Sequence, residues 1–147
     1  MIDYIIDKNT FAVIPDYHGC KIINARGSFT YPIDVKKLII VNCKYYGSSL
    51  NYKLDISKKL LGNNYKLPII LNGESSLILF PTESYRNNNC IWVNLDTIVN
   101  YFITKDNLVK IVFNNGSFIE INISYSSFHN QVLRASRLES IHRQKVL

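Results

Sequence analysis

The sequence predicts an α+β fold built mainly from antiparallel β-hairpins, with one short middle helix and a C-terminal helix. Short runs rich in Ile, Val, Phe and Tyr are broken by turn residues, and Asn-Gly pairs separate two sets of such runs. Two other segments place their apolar residues at helical spacing. The chain has 147 residues, of which 47% are hydrophobic and 19% charged, so we expect one domain with a packed core over residues 1–147.

The clearest predicted hairpin joins residues 108–113 to residues 117–123 across the Asn-Asn-Gly turn at 114–116. Asn and Gly tolerate the positive φ angles that a tight hairpin turn requires. In the second strand an isoleucine at every other position alternates with residues such as Phe118 and Glu120. This period of two predicts one buried face.

Further segments have the composition of strands. A second hairpin is predicted from residues 66–71 across Asn72 and Gly73 to residues 77–80, and single strands are predicted at residues 11–14, 38–41 and 90–95. Tyr45 and Tyr46 are interpreted as neighbouring strand positions, one facing the core and the other the surface. Trp92 is interpreted as a core residue beside Cys90.

The middle helix is predicted at residues 49–61. Leu50, Leu54 and Leu61 follow helical spacing, and Gly62 suits the position just after a helix end.

The C-terminal helix is predicted at residues 128–145, with Ser127 accepting a backbone N–H bond as its cap. Its apolar side chains keep to one side of the helix. Asn130, Arg134 and Arg137 are spaced i, i+4 and i+7 and therefore line up on another side.

Several classes of protein are excluded or disfavoured. The longest unbroken apolar runs are four residues, against the roughly 20 that a membrane-spanning helix needs. Acidic residues at Asp3 and Asp7 are atypical of a signal peptide, so we expect a cytoplasmic protein. The three cysteines are odd in number and far apart, which predicts buried, reduced thiols and neither a disulfide framework nor a zinc site.

No catalytic motif is recognisable, so we expect neither enzymatic activity nor a cofactor. His18, His129 and His142 are the histidines, and none lies in a known nucleophile–base pattern. Residues 47–49, Gly-Ser-Ser, are open to two interpretations. They form either an anion cradle at a helix start or an ordinary turn and helix cap.

The net charge of +6 is concentrated in two blocks. Residues 35–66 carry seven lysines against one aspartate, and residues 124–147 carry four basic side chains against one glutamate. Phosphate neutralisation by Lys and Arg favours nucleic acid as the partner. In the second block Arg134 and Arg137 accompany the amides Asn130 and Gln131, side chains that can read base edges. A solvated basic helix face remains the alternative.

The chain resembles the bacterial competence transcription factor family, ComK. Three stretches carry the resemblance: residues 43–49 (CKYYGSS), residues 80–84 (FPTES) with 90–92 (CIW), and residues 113–116 (FNNG) leading through 123–132 (ISYSSFHNQV) to Arg134 and Leu138. Their order and spacing match the family from about residue 10 to residue 140.

The resemblance implies that residues 1–147 are one ComK-like DNA-binding domain that activates genes of DNA uptake and recombination. It also implies binding to paired A/T-rich boxes from the minor groove, as a homodimer or tetramer that acts on RNA polymerase indirectly. The expected location is the cytoplasm, at the nucleoid when bound to DNA. An adaptor that delivers the protein to a Clp protease is a further implied partner.

The candidate DNA-binding residues are Arg134, Arg137, Asn130, Gln131, Lys53, Lys44, Ser48 and Ser49. Lys53 stands where the family usually has a Gly-Arg pair. Arg86, in the loop Arg-Asn-Asn-Asn, is either an ordinary loop residue or one inserted into a DNA groove. Because the chain ends at Leu147, soon after the last motif, a shortened paralogue that sequesters a longer one is a second candidate function. A small RNA-binding protein is a third.

Overall fold

A computed structural model describes residues 4–146 of the chain. Its elements are, in chain order, β1 (Thr10–Asp16), β2 (Gly19–Asn24), β3 (Gly27–Tyr31), α1 (Val35–Tyr45), α2 (Leu50–Leu61), β4 (Ile69–Asn72), β5 (Leu77–Pro81), β6 (Trp92–Asn94), β7 (Ile98–Ile103), β8 (Val109–Phe113), β9 (Phe118–Ile121) and α3 (Tyr125–Val146). The predicted α+β class with a C-terminal helix is confirmed. Within this part of the chain, no helix has the length and apolar character needed to cross a bilayer.

All strand pairs are antiparallel, and they form two sheets. The larger sheet has the order β3-β2-β1-β6-β5-β4, and the smaller has the order β7-β8-β9. Both predicted hairpins are confirmed, as β4–β5 and β8–β9. In the second of these, Val109 pairs with Ile121 and Ile111 with Ile119, and Val109, Ile111 and Ile121 are buried. The period of two in the sequence therefore marks the core face of this sheet.

The strand predicted at residues 38–41 is wrong, because this segment lies inside helix α1. A run of four apolar residues has no periodicity that separates a buried strand from a buried helix. Asp34 caps the helix by accepting a bond from the Lys37 N–H at 2.8 Å. The strand interpretation of Tyr45 and Tyr46 is wrong for the same reason, since they are the last residue and the C-cap of α1.

Helix α2 follows its prediction closely. Ser49 is its N-cap, and Gly62 ends it in the left-handed conformation, with φ of 77°. The predicted middle helix is therefore the second of two. Strands β2, β3 and β7 had no prediction. Every residue of β3 is at least partly exposed, and so is every residue of β7, so the alternation that reveals a half-buried strand is missing.

Helix α3 starts three residues earlier than predicted, and Ser124 replaces Ser127 at its start. The Ser124 Oγ accepts a bond from the Ser127 N–H at 3.2 Å, and the Ser124 carbonyl accepts from the Phe128 N–H. The predicted core side is correct, because Phe128 and Leu138 are fully buried.

The central strands of the larger sheet are buried on both faces, whereas its edge strand β3 is exposed. Neighbouring residues along its central strands enter different clusters: Val93 belongs to the core shared with α3 and the smaller sheet, and Trp92 to the core beneath α1. Trp92 is 2% exposed, which agrees with its prediction as a core residue. All three cysteines are buried and free, and burial raises the pKa of each thiol to about 11.

A pair of carboxyl groups joins α3 to the turn Leu95–Thr97. Burial, followed by the hydrogen bond and charge of Asp96, raises the pKa of Glu139 from 4.5 to about 7. Arg143 partly opposes this shift, with its Nη2 atom 3.4 Å from the Glu139 Oε1 atom. The folded chain therefore keeps a proton on this pair at pH values where the unfolded chain has lost it.

We expect the free energy of unfolding to fall as the pH rises from about 4.5 to 7, because the folded state binds the extra proton over that range. Glu139→Gln removes the titrating group, so it should flatten this dependence and make the variant more stable than the wild type at pH 8. Urea unfolding at pH 5, 6, 7 and 8 measures the effect. Glu120→Gln, at an exposed position of β9, is the control, and identical pH profiles for Glu139→Gln and the wild type would contradict the assignment.

Candidate nucleic-acid interface

A basic groove lies between α2, the segment that follows it and the loop between β5 and β6. Its volume is about 390 Å³, and it is lined by Asn51, Leu54, Asp55, Lys58, Asn64, Tyr65, Lys66, Leu67, Ser84, Tyr85 and Arg86. Lys58, Lys66 and Arg86 supply three positive charges, against the single negative charge of Asp55. The groove is therefore an electropositive, partly aromatic surface.

Two tyrosine rings contact two of the three cationic side chains of this groove. The Arg86 Cζ atom lies 4.9 Å from the Tyr85 ring centroid, and the Lys66 Nζ atom lies 5.3 Å from that of Tyr65. The Nζ atom of Lys36, at the start of α1, also lies 5.6 Å from the Tyr85 ring centroid. Such cation–π contacts restrict long side chains while leaving their charge available.

The loop that carries Arg86, residues 82–90, consists of linked turns. The Ser84 carbonyl accepts a bond from the Asn87 N–H at 2.8 Å, and the Asn87 carbonyl accepts from the Cys90 N–H at 3.0 Å. The Asn87 Oδ1 atom also accepts from the Asn89 N–H at 2.8 Å. These bonds fix the backbone and leave Arg86 and three asparagines exposed at the surface.

Gln131, a predicted DNA contact, is a buried structural residue with 1% exposure. Its Nε2 atom donates to the carbonyl oxygens of Lys66 and Pro81, at 2.9 and 2.6 Å. Its Oε1 atom accepts a bond from the Arg134 Nη1 atom at 2.6 Å. No polar atom of Gln131 is left to reach a base edge, so it is not retained as a DNA contact.

The other candidates on α3 keep polar surface. Asn130 and Arg137 are exposed, and Arg134 is half-buried against Gln131. Because Gln131 also bonds the Lys66 backbone, it brings the second basic block of the sequence next to the first.

None of the eight candidate residues lines the basic groove, and the remaining four lie on or between α1 and α2. Lys44 is exposed in the last turn of α1, whereas burial lowers the pKa of the half-buried Lys53 ammonium. The Ser48 Oγ atom is buried without a hydrogen-bond partner. The Ser49 Oγ atom accepts a bond from the Tyr52 N–H at 3.1 Å, so for residues 47–49 the turn and helix-cap interpretation accounts for the structure.

The sequence interpretation missed the groove tyrosines and did not single out Lys58 and Lys66. One available signal was a tyrosine directly followed by a basic residue, which occurs in the groove at Tyr65–Lys66 and Tyr85–Arg86 but also outside it at Tyr52–Lys53. The described residues contain no group of three or more His, Cys, Asp or Glu side chains placed to bind a metal ion.

Comparison with known proteins gives one consistent result. The family model described as ComK protein matches residues 2–146. The chain is 27% identical to a "Competence transcription factor" of Bacillus subtilis (strain 168) over 147 residues, a match that covers 97% of this chain and 77% of the relative. No solved structure matches the chain.

Ser49→Ala should lower the free energy of unfolding by about 1 kcal/mol, because it removes the acceptor that caps α2. Ser49→Asp is the matched control, since Asp is an equally good cap and should restore the wild-type stability. Urea denaturation followed by Trp92 fluorescence measures both variants. Unchanged stability of Ser49→Ala, together with a loss of DNA affinity, would instead favour the anion cradle.

Proposed function

The chain belongs to the ComK protein family, and from this premise we propose that it activates competence genes by binding A/T-rich promoter DNA along the basic groove. Membership supports the role of a competence transcription factor, which is not an enzyme class. The observation that carries the DNA-binding part is the groove itself, which Lys58, Lys66 and Arg86 line together with two tyrosines and one carboxylate.

The side chains of the basic groove suit a DNA phosphate backbone that borders a narrow minor groove. Lysines that neutralise phosphates release counterions and so supply affinity without sequence preference. A-tracts have a narrow, strongly negative minor groove that attracts an arginine side chain. Arg86 lies on an ordered, exposed loop, and the neighbouring Asn88 and Asn89 carry amides that can donate to minor-groove acceptors. We therefore assign this loop to the DNA minor groove and the lysines to the DNA phosphate backbone.

Helix α3 supplies the second part of the proposed interface. Asn130, Arg134 and Arg137 are retained from the sequence prediction, and Lys44 is retained as a backbone contact at the end of α1. We assign no DNA contact to Lys53, Ser48 or Ser49. The Lys53 side chain and the Ser48 Oγ atom are partly or fully buried, and Ser49 caps α2.

We also carry over the assembly that the family resemblance implies. Residues 1–147 act as one DNA-binding domain, two copies bind paired boxes as a dimer or larger oligomer at the nucleoid, and RNA polymerase is affected indirectly. Control by a Clp-protease adaptor belongs to the same proposal.

Fluorescence anisotropy with A/T-rich and G/C-rich duplexes of equal length tests the proposed specificity. At moderate salt we expect tighter binding to the A/T-rich duplex, because a narrow minor groove concentrates negative potential. Single-stranded RNA is the competitor that separates a DNA-binding from an RNA-binding protein. Equal affinity for both duplexes would contradict a specific regulator, and co-purification with a longer paralogue without any DNA binding would favour the sequestering alternative.

Arg86→Lys should reduce the preference for the A/T-rich duplex while leaving the slope of log affinity against log salt nearly unchanged. The substitution keeps the charge but loses the planar, weakly hydrated guanidinium that suits a narrow groove. Lys105→Arg, at an exposed site between β7 and β8, is the control for the reciprocal exchange. An unchanged A/T preference in Arg86→Lys would assign Arg86 to the phosphate backbone.

A further inference from the structure

Strand β7 forms an open edge of the smaller sheet. Within residues 4–146 it pairs with β8 alone, and Val99 and Ile103 on it are 62% and 54% exposed. An edge strand presents unpaired backbone N–H and C=O groups, and proteins protect such edges with charged residues, prolines or short strands. The six residues of β7, IVNYFI, include neither a charged residue nor a proline. This edge is therefore open to pairing with another strand.

The other sheet edges are less suited to pairing. At the opposite edge of the smaller sheet, β9 has four residues and carries Glu120. In the larger sheet, β4 packs against α2 and α3 and is mostly buried. Strand β3 is exposed, but Gly, Ser and Thr make up three of its five residues, and the Tyr4 ring lies against Phe29 with centroids 5.5 Å apart. Strand β7 is thus the longest and most apolar of the exposed edges.

The hydrogen-bond pattern shows which backbone groups of β7 point away from β8. The Thr104 N–H donates to the Leu108 carbonyl at 2.8 Å, which makes these two a hydrogen-bonded pair. Such pairs alternate in an antiparallel ladder, so the N–H and C=O groups of Tyr101, three positions earlier, point outward. In agreement, the Tyr101 N–H donates to the Oδ1 atom of its neighbour Asn100 at 2.9 Å. A carbonyl of an added strand can replace this exposed side-chain acceptor.

The charge distribution favours a second copy of this chain as the occupant of the edge. The net charge of +6 is concentrated in residues 35–66 and 124–147, and surfaces of one sign repel each other. Residues 95–123, which hold the smaller sheet, carry two lysines against three acidic residues. Two copies can therefore approach here without strong repulsion. The edge is also self-complementary, because a twofold axis brings each outward N–H opposite the C=O of its counterpart.

We propose that two copies of the chain associate through β7, antiparallel and centred on Tyr101, so that their smaller sheets become one six-stranded sheet. Tyr101 is the outward-facing residue nearest the middle of β7, and it lies beyond the register irregularity between Ile98 and Asn100. With this centre, Tyr101 exchanges both backbone bonds with Tyr101 of the second copy. Asn100 then faces Phe102 of the second copy in a non-hydrogen-bonded pair.

This pairing places helix α3 of both copies on the same side of the joined sheet. The twofold axis between two antiparallel strands is perpendicular to their sheet, so each face stays on its own side. Tyr101 packs onto α3 within each copy. Its Oη atom lies 2.7 Å from the His129 Nδ1 atom, and its ring centroid lies 5.2 Å from that of Phe128. That the two helices then contact the same DNA rests on the proposed function.

Ile103→Lys tests the interface by sedimentation velocity over a concentration series without DNA. We expect the wild-type chain to dimerise and the substitution to raise the dimer Kd by about tenfold or more, because it places a charge against an uncharged strand. The Ile103 side chain is exposed, so the variant should fold, which near-UV circular dichroism checks. Thr30→Lys adds the same charge to β3, the exposed edge of the larger sheet, and is the matched control with an unchanged Kd.

Cysteine cross-linking tests the register. A mixture of Asn100→Cys and Phe102→Cys should form a covalent dimer under mild oxidation, because the Cα atoms of a non-hydrogen-bonded pair lie about 4.5 Å apart, within reach of a disulfide. Either variant alone should cross-link much more slowly, since its two introduced thiols occupy diagonal positions about 7–8 Å apart. The three native cysteines are buried and should give little background. Equal rates for the mixture and the single variants would overturn the pairing about Tyr101.

Dimerisation and DNA binding are measured separately, so the interface and the proposed function fail in different experiments. A wild-type dimer that Ile103→Lys dissociates, in a protein that binds no duplex, would support the interface and contradict the DNA-binding proposal. Binding of the A/T-rich duplex by a chain that stays monomeric would contradict the interface alone. Equal dimerisation of Ile103→Lys and the wild type, or loss of the dimer in Thr30→Lys only, would overturn the assignment to β7.

Discussion

The burial of the central strands of the six-stranded sheet on both faces is the constraint on which the rest of the structure depends. A sheet covered on both sides needs apolar residues at successive positions, and Trp92 and Val93 meet this need by entering opposite cores. Helix α1 covers one face, while α3 and the smaller sheet cover the other. The segment after α2 and the loop after β5 extend from this framework and form the basic groove together with α2.

Helix α3 is held to this framework by polar contacts as well as by its apolar face. The Gln131 amide bonds the segment before β4, the His142 Nε2 atom lies 2.9 Å from the Gly73 carbonyl oxygen, and Glu139 meets Asp96. Buried polar contacts add little net stability but fix one arrangement, because alternatives leave groups unpaired. Here they set the register of the helix that carries the second basic block.

The sequence revealed those parts of the fold that local chemistry determines. The hairpins β4–β5 and β8–β9 carry Asn-Gly turns, and α2 has both of its caps, so each could be predicted without tertiary information. Helix α1 could not be predicted, because its run of four apolar residues fits a buried strand equally well. Strand β7 could not either, because its register comes from pairing with β8 rather than from its own pattern.

The candidate site likewise has a part that local sequence predicts and a part that depends on tertiary contacts. Charge blocks are a property of the sequence, and they identified a basic surface. The contact between the Lys66 backbone and the helix that carries Arg134 spans 65 residues and involves a left-handed backbone angle at Lys66, and neither of these leaves a local pattern. Gln131 was placed on the DNA for its residue type, whereas its burial makes it a support for Arg134. A substitution at this buried position would therefore leave two carbonyl groups unpaired and remove the acceptor that orients the Arg134 guanidinium.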